Sequence, residues 1–292
     1  MQYYAHGKLF LAGEYVVLRG ADALAIPTKY GQQLEVLSAN DSTYKWEAYD
    51  VHNQLWLEVN FDENWEVIST NDAQKANTLQ SVFRTVQILK GSKLPFFRAK
   101  TTLEFERSWG LGTSSSLIAL IAKWQKIDAL SLFENALTGS GYDVASALSD
   151  VPVMYNMLPQ KHYKTVELPN ALQDSFFVYL GQKQNSEKEV IAFKDREVAA
   201  HDIAKINHIA QALTVVENLT EVEKLISDHE EIIGNILERL PIKERLFKDY
   251  PGAVKSLGAW GGDFIWATQV EEKNYFKTKG YQTIIEWKDM IY

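Results

Sequence analysis

The chain has 292 residues, a formal net charge of −8 and no cysteine. This length allows two domains or one large domain. The acidic balance argues against a general nucleic-acid or membrane-surface binder, and the lack of cysteine excludes disulfides, thiol catalysis and thiolate metal ligands. There is no run of about 18 apolar residues, and the first residues do not resemble a signal peptide. We therefore expect a cytoplasmic enzyme.

The amino-terminal part is predicted to be rich in strands. Residues 3–37 are interpreted as short strands, with one apolar run at 9–18. Polar and apolar residues alternate over 33–36, which is typical of a strand with one wet face. Three further strands are predicted at 44–49, 54–61 and 65–68, and their aromatic residues are expected to pack on a sheet.

A helix, a strand and a second helix are predicted next. Apolar residues three and four positions apart predict an amphipathic helix from Ala76 to Leu89, which Gly91 ends. Alternation at 97–105 predicts a strand, and the helical spacing returns over 117–130. The segment between this strand and this helix is a turn made of small residues.

The turn Gly110-Leu111-Gly112-Thr113-Ser114-Ser115 has the composition of an anion site. The first turn of a helix has unpaired N–H groups and partial positive charge, and glycines let a phosphate approach. A simpler interpretation is a helix capped by Thr113 or Ser114. The turn is not a Walker A loop, because no Gly-Lys-Ser/Thr closes it. It is not the Rossmann fingerprint either, because Ser115 replaces the third glycine.

Another glycine turn, Gly139-Ser140-Gly141, precedes a small-residue helix with Asp143 at its start. An Asp in this position is commonly only a helix cap or a dipole partner. After this helix, two prolines and polar residues over 152–162 suggest a crossover between domains.

The carboxy-terminal part mixes strands and helices. The segment 176–180 is predicted to be a buried strand, a polar loop follows at 181–186, and 187–240 is mostly helical. A glycine turn at 255–262 precedes the last strands. These strands are predicted at 264–268 and 281–287. The pattern favours an α+β fold over a parallel sheet, and the spacing of the histidines does not predict a metal site.

Three stretches, in this order, resemble the motifs of the GHMP kinases, the family of galactokinase, homoserine kinase, mevalonate kinase and phosphomevalonate kinase. The first motif is Gly7-Lys8-Leu9-Phe10-Leu11-Ala12-Gly13-Glu14-Tyr15, the second is the glycine turn at 110–115, and the third is 255–263. The residues at 12–15, 139–145 and 261–263 are most similar to the phosphomevalonate kinases.

The resemblance implies an α+β fold with two domains. A ribosomal-S5-like ATP-binding domain would span 1–157, and a ferredoxin-like domain would span 158–292. It also implies ATP and Mg²⁺ as cofactors and a small-molecule acceptor, with no nucleic-acid or membrane partner. A homodimer is possible in this family.

The family also implies residue roles. Lys8 would offset charge on the transferred phosphoryl group, and Asp143 would accept a proton from the acceptor or orient it. The backbone of Gly110, Leu111, Gly112, Thr113, Ser114 and Ser115 would bind the ATP phosphates. Ser114 would contact magnesium, with Glu134 as a second metal ligand. The acceptor side would comprise Glu14, Gly141, Lys183, Ser186, Gly258, Gly261 and Gly262.

The sequence also departs from the family pattern. Glu106 replaces a proline before the phosphate loop, Trp260 replaces a glycine in the third motif, and Glu134 lies closer to Asp143 than expected. The first interpretation is a kinase that acts on phosphomevalonate in isoprenoid-precursor synthesis. Alternatives are a kinase for mevalonate or another small metabolite, and a non-catalytic homologue that binds a nucleotide or a metabolite.

Overall fold

The computed structural model describes residues 1–40, 42–181, 186–258, 260 and 263–292. The strands are β1 Gln2–Ala12, β2 Ala23–Ser38, β3 Tyr44–Tyr49, β4 Leu55–Phe61, β5 Val67–Thr70, β6 Phe97–Leu103, β7 Val153–Asn156, β8 His162–Thr165, β9 Ser175–Tyr179, β10 Val254–Ser256, β11 Phe264–Thr268 and β12 Ile284–Glu286. The helices are α1 Ala73–Lys90, α2 Thr113–Gln125, α3 Ala129–Ala136, α4 Tyr142–Leu148, α5 Ser186–Phe193, α6 Ala200–Ala212, α7 Leu219–Leu237, α8 Ile242–Leu246, α9 Asn274–Thr278 and α10 Trp287–Met290. This mixture confirms the α+β class.

The chain divides into two compact units, each built from separated segments. The first unit comprises Met1–Gly7, Tyr30–Arg107 and Gly112–Leu148. The second unit comprises Lys8–Lys29, Ser108–Leu111 and Ser149–Tyr292. The domain boundary between residues 157 and 158 stays a prediction.

The first unit packs helices against a mixed sheet. Its strands are ordered β5-β4-β3-β6-β2, and β3 pairs with β6 in parallel while the other pairs are antiparallel. The core contains stacked aromatic rings. The centroid of the Trp65 ring lies 4.0 Å from that of Tyr44 and 4.6 Å from that of Phe83. Such contacts stabilise a core beyond the apolar area that they bury. Phe83 lies on the buried face of α1, the helix that the apolar spacing predicts.

The second unit contains a four-stranded antiparallel sheet, in the order β10-β11-β9-β12. Helix α7 packs against β10. The first residues of β2 pair with β7, and β7 pairs with β8. The predicted strands at 176–180 and 264–268 are therefore confirmed as β9 and β11, the two central strands of the four-stranded sheet.

Two predictions about secondary structure were wrong in detail. The predicted strand at 9–18 ends at Ala12, and a 3₁₀ turn follows at Val16–Arg19, because Gly13 and Tyr15 have positive φ angles of 95° and 62°. A positive φ is incompatible with an extended strand. The predicted helix at 117–130 is two helices, α2 and α3, separated where Lys126 adopts a left-handed conformation.

Residues 152–162 contain β7 and the start of β8, an antiparallel pair. The crossover between domains that the sequence suggests here stays a prediction. The prolines lie outside the two strands, where no ladder N–H is needed. Within the described residues, no helix has the length and apolar character needed to cross a membrane.

Candidate active site

The segment that leads into the phosphate loop is held by aromatic side chains of the second unit. The hydroxyl of Tyr179 donates a hydrogen bond to the Ser108 carbonyl at 3.2 Å. The Trp109 ring meets the Phe264 ring edge-on, with 5.5 Å between ring centroids. Tyr179 ends β9 and Phe264 begins β11. The loop is therefore anchored at one end of the central strand pair.

Lys8 lies beside the same loop. Its backbone N–H donates to the Leu111 carbonyl at 2.9 Å, so β1 continues its hydrogen bonding onto the loop. The Lys8 side chain is largely buried. This contact brings together the first two family motifs, which lie about a hundred residues apart in the sequence.

Gly110 is pressed against the side chain of Asp263. A Cβ atom built on Gly110 would lie 2.8 Å from both Cγ and Oδ2 of Asp263, and the φ of Gly110 is +69°. Gly258, at φ +65°, faces the same carboxylate, because a Cβ there would lie 3.2 Å from Oδ2. Both positions favour glycine because their backbone is left-handed, and Gly110 in addition has no space for a side chain.

The second half of the loop, which belongs to the first unit, opens helix α2. Gly112 is the N-cap residue, and no side chain caps this helix end. The interpretation with Thr113 or Ser114 as the cap was therefore wrong. An uncapped N-terminus keeps N–H groups and the positive end of the helix dipole available for an anion.

The serines of α2 differ in how they are used. The Ser115 hydroxyl donates to the Gly112 carbonyl at 2.8 Å, and the Ser116 hydroxyl donates to Gln32 at 2.7 Å. Both serines are buried, whereas Ser114 is exposed. Ser114 is therefore the serine whose hydroxyl can reach a ligand from solvent.

Asp143 lies in the first turn of α4, and α4 packs against α2 within the first unit. Small buried residues of α4 allow this packing. Gly141, just before the helix, is buried and has a φ of +88°. Asp143 is half-buried, and Glu134 is exposed on α3.

The predicted acceptor side is described only in part. Lys183, Gly261 and Gly262 lie outside the described residues, and Ser186 is the first residue of α5. The end of α5 is fixed in the second unit, because the ring of its buried Phe193 lies 5.2 Å from the ring of Tyr15. Arg19 also donates to the Lys194 carbonyl, just past the helix, at 2.5 Å.

Glu14 lies in a fully buried polar cluster of the second unit. Its carboxylate accepts a hydrogen bond from the Lys255 ammonium, and each of the two residues is only 1% exposed. The ammonium also donates to the Ser256 carbonyl at 3.0 Å. Glu14 thus reaches the third motif, and burial leaves no solvent-facing surface from which it can contact a substrate in this conformation. Its predicted substrate-binding role stays a prediction.

Helix α7 completes this cluster with His229 and Glu230. Nε2 of His229 accepts the Gly13 N–H at 3.1 Å and lies 3.2 Å from the Glu14 carboxylate. Glu230 accepts the Ser256 N–H at 3.0 Å. His229 and Glu230 of α7 therefore accept hydrogen bonds from the backbone of both the first and the third motif.

The charge states of this cluster follow from burial and from Lys255. Burial is the largest influence on Glu14 and by itself would raise its pKa, but Lys255 and His229 together outweigh burial and hold the pKa below its ordinary value. Burial and Lys255 lower the pKa of His229 to about 4. Burial raises the pKa of Glu230 to about 8. Near neutral pH the cluster is therefore one ion pair, a neutral imidazole and a protonated acid.

Two departures from the family pattern have structural partners. The Trp260 ring is 1% exposed, and its tip lies 3.5 Å from where a Cβ of Gly234 on α7 would stand. Trp260 therefore packs against α7 within the second unit. On the surface of the first unit, Oε1 of Glu106 and Nε2 of His52 form a hydrogen bond with 2.8 Å between these atoms. Narrowing of the acceptor site by Trp260 stays a prediction.

The side-chain oxygens of Ser114 and Glu134 suit a metal ion that would bind together with a nucleotide. The described part of the chain contains no group of three or more His, Cys, Asp or Glu residues that would bind a metal alone. Mg²⁺ commonly binds through one or two protein ligands and the phosphate oxygens of a substrate. The exposed Ser114 hydroxyl and Glu134 carboxylate are donors of this kind.

Sequence reasoning missed several residues that shape the site. Lys255 and Asp263 lie at the two ends of the third motif, so their position in the motif was a usable signal. Tyr179 and the α7 pair, His229 and Glu230, lie outside the three motifs. Only the fold brings these residues to the loops that they contact.

Comparison with solved structures decides the fold. The Streptococcus pneumoniae phosphomevalonate kinase in complex with phosphomevalonate and AMPPNP has a TM-score of 0.74 and 16% identity, and the match covers 98% of this chain and 99% of that one. The chain has the fold of the GHMP kinases. The predicted fold is therefore confirmed.

Two further structures share the GHMP-kinase fold over nearly the whole chain. The Methanococcus jannaschii mevalonate kinase has a TM-score of 0.73 and 13% identity, with 98% of this chain and 96% of that one covered. The Listeria innocua protein Lin0012 has a TM-score of 0.72 and 20% identity, with 96% and 95% covered. No protein-family model and no curated protein sequence matches the chain.

We predict that Lys255→Met lowers the free energy of unfolding by about 3–5 kcal/mol, because it leaves the buried Glu14 carboxylate without its counter-charge. Urea denaturation measures this change. Lys224→Met is the matched control, because Lys224 makes an exposed pair with Asp228. The double substitution Glu14→Gln with Lys255→Met should recover much of the loss. Equal losses in the control and in Lys255→Met would contradict a stabilising buried pair.

We also predict a pH dependence of stability that comes from Glu230. Its pKa is about 8 in the folded protein and near 4.5 when unfolded, so the folded state binds more protons between these values, and stability falls as pH rises. His229, with a folded pKa of about 4, has the opposite effect only below 6.5, the ordinary pKa of a histidine in the unfolded chain. Between pH 6.5 and 8, the Glu230 effect is therefore not opposed by His229.

Urea unfolding at several pH values from 6.5 to 8 tests this prediction. Glu230→Gln, which mimics the protonated acid, should flatten the fall in stability over this range. Glu231→Gln is the control on the exposed neighbour and should leave the slope unchanged. An unaltered slope in Glu230→Gln would show that Glu230 does not titrate in this range.

Proposed function

We propose that this protein is an ATP-dependent kinase of the GHMP family that phosphorylates a small acceptor. One observation supports it most: the sequence that resembles the family's phosphate loop folds as a glycine turn into an uncapped helix, in a chain with the GHMP-kinase fold. A helix start of this kind is suited to binding phosphate. The position of Lys8, bonded to the same loop through its backbone, supports the proposal further.

The chemistry asks mainly for positioning and charge. Phosphoryl transfer proceeds through a loose transition state, in which negative charge spreads over the transferred group. The α2 N-terminus and the Lys8 ammonium would offset this charge. Mg²⁺, held by Ser114 and Glu134 together with the nucleotide, would supply further positive charge.

Asp143 is proposed to act on the acceptor. A carboxylate near the attacking oxygen orients it and takes its proton as the bond to phosphorus forms. Asp143 suits this role because it lies in the first turn of α4, which packs against the phosphate-loop helix. Its half-buried side chain is held by the helix rather than by a loop.

Phosphomevalonate is the proposed acceptor, and mevalonate is the second candidate. The support is the similarity of residues 12–15, 139–145 and 261–263 to the phosphomevalonate kinases. Lys183 and Ser186 are the proposed partners of the anionic end of the acceptor, while Gly141, Gly258, Gly261 and Gly262 would let backbone approach it.

We predict that the protein releases ADP when it is incubated with ATP, Mg²⁺ and one acceptor from a panel. The panel contains phosphomevalonate, mevalonate and several sugars, and a coupled assay measures ADP. Release with phosphomevalonate alone supports the full proposal, and release with another acceptor corrects the substrate. Nucleotide binding without turnover on any acceptor would instead favour a non-catalytic homologue.

We predict that Asp143→Asn lowers kcat by about 10²–10⁴ while nucleotide binding survives, because the amide cannot accept the proton. Steady-state kinetics and a nucleotide titration measure the two effects. Asp150→Asn, on an exposed residue, is the control and should behave as wild type. An unchanged kcat in Asp143→Asn would remove this residue from the proposed role.

We predict that Lys8→Met lowers kcat by about 10²-fold or more and changes nucleotide affinity much less, because the ammonium acts on charge that develops in the transition state. The same two measurements separate these effects. Lys205→Met on the surface of α6 is the control. A loss confined to nucleotide affinity would contradict the assigned position of Lys8.

A further inference from the structure

We infer that Asp263 is a positioning residue that holds the phosphate loop in its nucleotide-binding shape. This inference rests on the proposed function. It assigns a role to the last residue of the third motif, whose side chain lies against the loop, and it concerns the space that this side chain fills. The contacts of Asp263 within the second unit support it.

The first contact is with Gly110 of the phosphate loop. A Cβ on Gly110 would lie 2.8 Å from Cγ, 2.8 Å from Oδ2 and 3.2 Å from Oδ1 of Asp263. All three atoms of the carboxylate group thus lie over one face of this glycine. Because the Asp263 side chain is only 7% exposed, it has little room to turn away.

The second contact is with Gly258 of the third motif. A Cβ there would lie 3.2 Å from Oδ2 of Asp263. Gly110 and Gly258 both have left-handed φ angles, +69° and +65°. The carboxylate group therefore lies between two tight glycine turns, one from each motif, and fills the space between them.

The backbone of Asp263 is fixed as well. Its carbonyl accepts the Leu180 N–H at 2.8 Å, next to the point where the predicted acceptor loop begins. Phe264, the next residue, packs against Trp109 of the phosphate-loop segment. Asp263 thus joins three segments that the proposed function places around the substrates.

A carboxylate beside a loop that binds phosphate repels the ligand, so by charge alone its removal would strengthen nucleotide binding. If Asp263 acts through its shape, the isosteric Asp263→Asn keeps the side-chain group that fills the space between Gly110 and Gly258, and Asp263→Ala removes it. The two substitutions therefore separate charge from positioning.

The experiment is a calorimetric titration of the full chain with AMPPNP and Mg²⁺. We expect Asp263→Ala to weaken binding about tenfold, because the loop loses its support, and Asp263→Asn to stay within about threefold of wild type. Thermal unfolding verifies that each variant is folded. Asp263→Ser replaces Asp263→Ala if the latter does not fold.

A double-substitution cycle tests the contact directly. Gly110→Ala adds a methyl that collides with Asp263, so it should weaken binding in wild type and have a smaller effect when combined with Asp263→Ala. Gly91→Ala is the matched control. Its φ of +64° gives a similar backbone strain, but no atom lies within 4 Å of its Cβ position. It should not change AMPPNP binding in either background.

The outcomes are distinct. Three results would each overturn the positioning role. They are wild-type affinity for AMPPNP in Asp263→Ala, equal losses of affinity in Asp263→Ala and Asp263→Asn, and fully additive effects of Gly110→Ala and Asp263→Ala. Tighter binding by Asp263→Asn would show that its charge dominates and would also overturn it. If wild type does not bind AMPPNP at all, the proposed function itself fails, and this inference fails with it.

Discussion

The buried pair of Glu14 and Lys255 is the constraint on which the second unit depends most. The two residues are 241 positions apart in the sequence, and their contact joins the first family motif to the third. Removing two charges from water is costly, and the cost is recovered only if each charge has good partners. Separation of the two motifs would leave at least one of these charges buried and unpaired, so the pair favours the arrangement in which the motifs stay in contact.

Helix α7 makes this arrangement possible. His229 accepts the N–H of Gly13, and Glu230 accepts the N–H of Ser256. A buried imidazole that stays neutral and a buried acid that keeps its proton solve the same problem, because both provide hydrogen bonds without adding charge. Of the four titratable side chains in the cluster, only Glu14 and Lys255 are therefore charged near neutral pH.

The phosphate loop shows a different strategy, based on backbone shape. The segment before the loop is held by Tyr179 and Phe264, and the first half of the loop by Asp263 and the N–H of Lys8. The second half begins α2 without a side-chain cap. Left-handed glycines allow the turn, and the contacts around it leave no room for a side chain at Gly110. A loop held in this way needs little reorganisation when it binds an anion, which is the general advantage of a preorganised site.

Local patterns in the sequence determined much of this protein. Apolar spacing and the stop at Gly91 predicted α1, alternation predicted β6, a continuous apolar run predicted β9, and three short motifs predicted the fold. These features depend on neighbours within a few residues, so a single sequence contains them. The strand predicted over 9–18 was wrong because Gly13 and Tyr15 have left-handed backbones, which apolar character does not reveal.

Tertiary structure alone decided which distant residues meet. Three features depend on contacts between residues that are far apart in the sequence. They are the partners of Glu14, the position of the Asp263 side chain between two glycines, and the packing of Trp260 against α7. Periodicity and composition contain no information about such contacts, because long-range packing and the desolvation of charges arise only when the chain is folded. The sequence thus determined the elements and the motifs, and the folded chain determined how the motif residues are held.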